Sequence, residues 1–240
     1  MTDAEKAEER GAGESKMDIK VLNQTNNETV FTLDGINPGI ANTIRRLAMS
    51  EVNCLAIEDV HITSNSSALY DEVLAHRIGL IPLKTDLKSY NRMDECKCKG
   101  KGCAHCQVKF TLKAKGPCTV YASDLQSKDK EITPVHPNIP IVYLLKDQEV
   151  ELDATAVLNN GKDHTKHQPG LIYYYGYPEG KSDAQVLKME NKDIENCSDK
   201  KFVFHVEPWG QLTAKEILSE SIKIMDEKLN QFEKLVKKAK

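Results

Sequence analysis

Apolar and polar positions change period several times along this chain, and each change predicts an element. Lys20-Val21-Leu22 and Thr29-Val30-Phe31-Thr32-Leu33 flank the polar Thr25-Asn26-Asn27, a hairpin pattern. Asn37 then Pro38 reads as a helix start. Asparagine caps orphan N–H groups, and proline's missing N–H costs nothing at the first helical position. Ile40, Ile44, Leu47 and Val52 follow at helical spacing. Residues 55–64 return to strand. Tyr70 to Ile78 predicts a short helix with Asp71 and Glu72 at its positive end and Gly79 just past its last turn. Val108, Phe110, Leu112 and Ala114 alternate with polar residues, a half-buried strand. Further strands are expected at 118–122, 141–145, 149–157 and 171–177. Residues 178–201 are polar and strand-poor, and Phe202, Phe204 and Val206 alternate up to Pro208-Trp209-Gly210.

The last element is a long helix. Thr213 and Glu216 form a capping box, in which hydroxyl and carboxylate satisfy each other's backbone N–H groups. Behind it, Leu218, Ile222, Met225, Leu229, Phe232 and Val236 repeat every three or four residues, a heptad stripe. Two readings stand: the stripe packs on the chain's own core, or it forms a seam with another polypeptide. A helix this long overhangs a domain of this size, which favours the seam.

Composition narrows the class. The 240 residues suit one large domain or two modest ones, and 40% apolar with 29% charged residues is a globular mix. Lys plus Arg total 33 against 36 for Asp plus Glu, a formal charge of −3. That balance argues against a protein whose whole surface grips nucleic acid. No apolar run approaches the ~20 residues needed to cross a bilayer. Residues 1–16 are charged and small, which predicts a disordered tail and no signal peptide. The expectation is a cytoplasmic protein with reduced thiols.

Four of the seven cysteines, Cys96, Cys98, Cys103 and Cys106, fall within one short segment. Two close pairs joined by a glycine-containing linker bring four thiolates together tetrahedrally, the donor set of structural zinc. Gly100 and Gly102 permit the reversal. Lys97, Lys99 and Lys101 stand where they offset the negative charge of a tetrathiolate site. An iron–sulfur cluster and metal-free reduced cysteines are the alternatives, and the spacing departs from the bacterial iron–sulfur run. His105 is expected to be exposed. Four thiolates leave no open coordination position, so the role is structural. Cys54, Cys118 and Cys197 read as small buried apolar residues.

Other constellations are weaker. Arg45 and Arg46 are either an ordinary solvated helix face or planar donors for a partner's carboxylates and carbonyls. Glu72, His76 and Arg77 read as a polar helix face. His164 and His167 lack further ligands for a metal. Trp209 is expected to anchor the turn into the last helix, and Tyr173-Tyr174-Tyr175 to form one strand exposing alternate rings. No nucleophile–base pair and no phosphate loop is recognisable, so no catalytic residue is assigned.

Together these motifs resemble the alpha-like assembly subunits of multisubunit RNA polymerases. The nearest form is the archaeal one, counterpart of the third-largest subunit of eukaryotic polymerase II. The likeness rests on Asn37-Pro38-Gly39-Ile40-Ala41-Asn42-Thr43-Ile44-Arg45-Arg46, on Leu74-Ala75-His76-Arg77-Ile78-Gly79-Leu80-Ile81-Pro82-Leu83, and on Val206-Glu207-Pro208-Trp209-Gly210 before the long helix. Gly161 to Pro169 matches more loosely, with His167 where a tryptophan is expected. The resemblance covers nearly all of residues 17–240. It implies an α+β fold. Residues 17–65 and 200–240 would form a discontinuous dimerisation domain with a mixed sheet and two helices, and residues 66–199 a mostly antiparallel β insert domain carrying the four-cysteine loop 96–106. It implies a non-catalytic member of a nucleotidyltransferase complex. Such a chain would pair with the smaller subunit L through Ile40, Ile44, Leu47 and the terminal stripe, dock the large catalytic subunits through Asn42, Arg45 and Arg46, and make little or no nucleic-acid contact. Some archaeal members carry an iron–sulfur domain before the final strand. Residues 178–201 hold only Cys197, so no such cluster is expected, and zinc is. The rival from another class is a free-standing zinc-binding or thiol redox-sensing protein.

Overall fold

The computed structural model describes residues 17–189 and 196–239. The tail expected over residues 1–16 lies outside them, as does part of the segment 178–201. The chain is α+β, and its described residues divide into two compact units, 17–43 with 173–189 and 196–205, and 44–172 with 206–239.

In the first unit, β1 (Asp18–Gln24) and β2 (Thr29–Asp34) form the expected antiparallel hairpin, with Ile19 opposite Leu33 and a bulge between Val21 and Asn23. Thr25 Oγ1 closes the turn by accepting from the N–H groups of Asn27 (3.3 Å) and Glu28 (3.0 Å). Asn37 caps α1 (Pro38–Ser50), its Oδ1 accepting from the N–H of Ile40 at 2.9 Å. Two later strands, β9 (Gly170–Pro178) and β10 (Cys197–Pro208), extend the hairpin into a four-stranded sheet of order β1-β2-β10-β9. β10 therefore starts inside the segment that reads as polar and strand-poor, because Cys197–Lys201 join the sheet despite carrying no alternation. The three tyrosines of β9 split by strand parity. Tyr174 stacks on Phe204 (5.2 Å), while Tyr173 stacks on His205 (4.7 Å) and Tyr175 lies tilted beside it (5.7 Å). All three are partly buried, so the strand does not expose alternate rings. Val30, Val186 and Val203 form a small core there.

The second unit is built on β3 (Asn53–Asn65), β4 (Gln107–Lys115), β6 (Gln126–Ser127) and β8 (Glu149–Asn160). They form an antiparallel sheet of order β3-β8-β4-β6. In β4, Val108, Phe110 and Leu112 turn inward between exposed Lys109, Thr111 and Lys113, as the alternation predicts. The main core joins Leu55 and Ile57 to Phe110, Leu112 and Leu152, and is closed by Leu74 and Ile78 of α2 (Asp71–Gly79). Arg77 is more than a solvated face. Its Nε donates to the carbonyl of Ile141 (2.8 Å) and an Nη to that of Pro140 (2.7 Å), which ties α2 to β7 (Pro140–Leu144). β7 pairs with β5 (Cys118–Tyr121) as a two-stranded sheet. After a short helical turn, α3 (Asp183–Val186) in the first unit, the chain ends in α4 (Ala214–Lys238), capped by Thr213 and Glu216 as expected.

Candidate functional site

The cysteine loop lies between α2 and β4 in the chain. Cys106 directly precedes β4, so the sheet anchors one end of the loop. The four Sγ atoms all lie within 4.8 Å of one another. Individual separations are 3.5 Å for Cys96–Cys103, 3.6 Å for Cys98–Cys106 and 3.7 Å for Cys103–Cys106. Tetrahedral zinc–thiolate bonds of about 2.3 Å require edges of about 3.8 Å, so the donor set fits a tetrahedral ion.

The backbone is wound to present the thiols. The N–H groups of Lys99 and Lys101 donate to the carbonyls of Cys96 (2.9 Å) and Cys98 (3.3 Å), and the N–H of Cys103 donates to Cys106 Sγ at 3.2 Å. Gly102 takes φ +79°, and a Cβ there would meet Gln107 Oε1 at 2.6 Å, so the reversal requires glycine. The thiols differ in acidity. A hydrogen bond from Cys96 brings Cys98 down to about 7, while burial pushes Cys106 up to about 12. Four such groups ionise together only around a cation. Among the described residues, this is the one group of three or more His, Cys, Asp or Glu side chains placed to hold a metal. Lys97, Lys99, Lys101 and His105 are exposed around it.

Of the three cysteines expected to be buried, Cys54 is and Cys197 is not. Cys54 is buried, and that burial lifts its thiol to about 12. Cys118, at the start of β5, is partly buried against the main core, and Cys197, at the start of β10, is exposed.

α4 presents two unlike faces. Ala214, Ile217 and Ser221 are buried. Leu218 and Met225 are partly buried, whereas Ile222 (50%), Leu229 (57%), Phe232 (66%) and Val236 (46%) are exposed. From Asp226 to Ala239 every described residue is exposed. Among the described residues, then, four of the six stripe side chains are left exposed by the chain's own core. On α1, Ile44 and Leu47 are buried and Ile40 partly so, while Arg46 is exposed. Arg45 and Asn42 are partly buried, and Arg45 Nη1 lies 3.7 Å from Met49 Sδ. Trp209 is 41% exposed, and the turn before α4 is held instead by its N–H donating to the Pro169 carbonyl at 3.0 Å.

His167, by its sequence only a poor ligand candidate, is fully buried. Its Nδ1 lies 2.8 Å from the Cys54 carbonyl oxygen, and its Nε2 has no hydrogen-bond partner among the described residues, the Glu58 carboxylate standing 3.6 Å away. Burial lowers its pKa. Beside it, Lys166 pairs with Glu58 at 2.6 Å. Burial acts to raise the Glu58 carboxyl, but the hydrogen bond and charge of Lys166 outweigh it, and its pKa is lowered. No periodic signal marks His167, which sits in a polar loop by composition.

The cysteine loop falls inside a match, over residues 60–173, to the RNA polymerase Rpb3/RpoA insert domain. This sets the class: a component of a multisubunit RNA polymerase. Curated relatives agree along most of the chain. Identity is 36% to DNA-directed RNA polymerase subunit Rpo3 of Methanosphaera stadtmanae, covering 88% of this chain and 96% of the relative. It is 40% to that of Methanosarcina acetivorans, over 83% and 74%, and 32% to that of Pyrococcus furiosus, over 90% and 95%. The chain belongs to the Rpo3 family of DNA-directed RNA polymerase subunits. Family membership disfavours a free-standing zinc or redox protein.

Proposed function

We propose that this chain is a non-catalytic, alpha-like assembly component of an archaeal-type polymerase, which pairs with a smaller alpha-like partner, subunit L, and with it forms the platform for the large catalytic subunits. The observation that carries this reading is the bare apolar stripe of α4. Water-exposed Ile222, Leu229, Phe232 and Val236 lie on the same helix as Leu218 and Met225, at the spacing of a helix–helix seam. Full burial of such a side chain is worth roughly 1.5–3 kcal/mol, and the four exposed ones are about half exposed, so covering them contributes a gross gain of roughly 3–7 kcal/mol.

In this reading residues 17–65 and 200–240 serve pairing, and residues 66–199 the insert, although β9 lies in one sheet with β10. α1 contributes Ile40, Ile44 and Leu47 to the pairing region, with Ile44 and Leu47 buried within this chain and supporting it from beneath. Asn42, Arg45 and Arg46 meet a large catalytic chain, where a guanidinium offers planar, paired donors. Cys96, Cys98, Cys103 and Cys106 hold a structural Zn2+ that orders the loop, with no iron–sulfur cluster. Direct nucleic-acid contact is slight, and the protein works in the cytoplasm. The test is co-expression of the full chain with its small alpha-like partner. Leu229→Asp and Met225→Asp should each abolish co-purification while the chain stays soluble, and undiminished recovery of the partner overturns the seam.

A further inference from the structure

Between Cys96 and Lys130 the sequence holds eight lysines against two aspartates, in a chain whose formal charge is −3. The structure sorts these lysines into two groups. Along the outer face of the sheet, Lys113 pairs with Glu151 (2.9 Å) and Lys115 with Glu149 (3.1 Å). Toward the cysteine loop this ladder stops. Lys109 stands opposite Thr155, and the N–H of Lys128 donates to the Lys109 carbonyl at 3.2 Å, which brings these two lysines side by side. Among the described residues, Lys109, Lys128 and Lys130 are exposed and have no carboxylate within 4.0 Å. Asp124 accepts from the N–H of Tyr121; Asp129 lines the same hollow as these lysines, but its carboxylate accepts from the Tyr90 hydroxyl and the N–H of Glu131, so three cations face one carboxylate.

The three lysines line a concavity of about 510 Å³ that they share with Tyr90, Ala104 and Val108. Ala104 belongs to the cysteine loop, so the loop forms part of the wall. The site thus sets three cationic heads against one carboxylate, with Ala104 and Val108 as its apolar wall. We propose that it docks an acidic segment of another protein, in which carboxylates flank one apolar side chain that enters the concavity. Charge complementarity selects the carboxylates. The shape selects peptide over nucleic acid: phosphates need a stripe of cations, and single-stranded bases need an exposed aromatic ring. Here the lysines surround one hollow, and Tyr90 is 7% exposed. This inference is independent of the α4 seam, since it involves other residues and is tested on the chain alone.

The experiment uses the full chain with equimolar zinc and a fluorescein-labelled peptide of alternating Asp and Glu around a central Leu, followed by anisotropy at low and physiological salt. Saturable, salt-sensitive binding is expected, weakened at least tenfold by Lys109→Glu with Lys128→Glu. The gentler pair Lys128→Gln with Lys130→Gln should weaken it several-fold and leave the circular dichroism unchanged. Replacing the peptide's Leu by Ser should weaken binding as well, and indifference to that change overturns the concavity as the site. Equal loss on Lys113→Glu with Lys115→Glu overturns the proposal in favour of diffuse attraction. Tighter binding of an oligo(dT) strand than of the peptide overturns it in favour of nucleic acid, and absence of peptide binding overturns it outright.

Discussion

His167 Nδ1 lies 2.8 Å from the carbonyl oxygen of Cys54, a residue 113 positions earlier. A carbonyl only accepts, so Nδ1 carries the proton and the ring is neutral, with Nε2 left bare in the interior. A second proton would place a charge in a buried site, and the 3.6 Å separation from Glu58 Oε2 does not compensate. The folded-state pKa is therefore lowered from the ordinary 6.5. The unfolded chain takes up a proton that the folded chain refuses. Stability is complete above pH 6.5 and falls as pH drops toward the folded value. Denaturant midpoints measured from about pH 8 to about pH 5 should decline on the acid side, and His167→Gln should flatten that limb.

Removing the metal should act locally. Residues 93–107 have no core of their own beyond Cys96 and Cys106, whereas β4 begins at Gln107 inside the main sheet. Chelation should raise amide exchange in the loop by orders of magnitude and leave Phe110 and Leu152 protected. Global unfolding would count against a merely local role. Because the Cys98 and Cys106 thiols sit near 7 and 12, loading must release protons, and zinc affinity should rise with pH.

Gly161 is needed for close approach. A Cβ there would stand 2.5 Å from the Met49 carbonyl oxygen and 2.6 Å from Gln168 Cγ. Gly161→Ala should destabilise the fold by about 1–3 kcal/mol through overpacking. A thermal melt followed by circular dichroism checks it, and an unchanged midpoint would mean that the end of α1 yields freely.

The start of α4 depends on one hydroxyl. Thr213 Oγ1 accepts from the N–H of Glu216 at 3.3 Å, while the Glu216 carboxylate accepts from the N–H of Thr213 at 2.8 Å. Thr213→Ala should cost about 1 kcal/mol. The Glu216 carboxyl is held below the usual range by the Thr213 backbone N–H first and by the Thr213 hydroxyl second; the variant keeps the N–H and loses the hydroxyl, so carboxyl NMR shifts should show it titrating only part of the way back to its ordinary value.

Much of the fold is legible in the sequence, and for local reasons. The Asn37 cap, the Thr213–Glu216 box, the alternation from Val108 to Leu112 and the spacing of four thiols are each written within a short stretch of chain. Their chemistry needs only near neighbours. Cys197–Lys201 reads as strand-poor because a polar strand on a paired ladder carries no alternation. Arg77 reads as solvated because its acceptors, the carbonyls of Pro140 and Ile141, lie 63 and 64 positions away.

Sequence alone thus determined where helices begin, which strands alternate, and that four sulfurs gather at one loop, since backbone sterics and hydrogen-bond periods act over a few residues. Only the tertiary structure decided that His167 is buried, that Lys109 and Lys128 stand side by side with no carboxylate in ion-pair range among the described residues, and that one face of α4 is covered while Leu229 and Phe232 meet water. Burial and pairing depend on which distant segments exclude solvent or bring a carboxylate near, and that is a property of the packed chain.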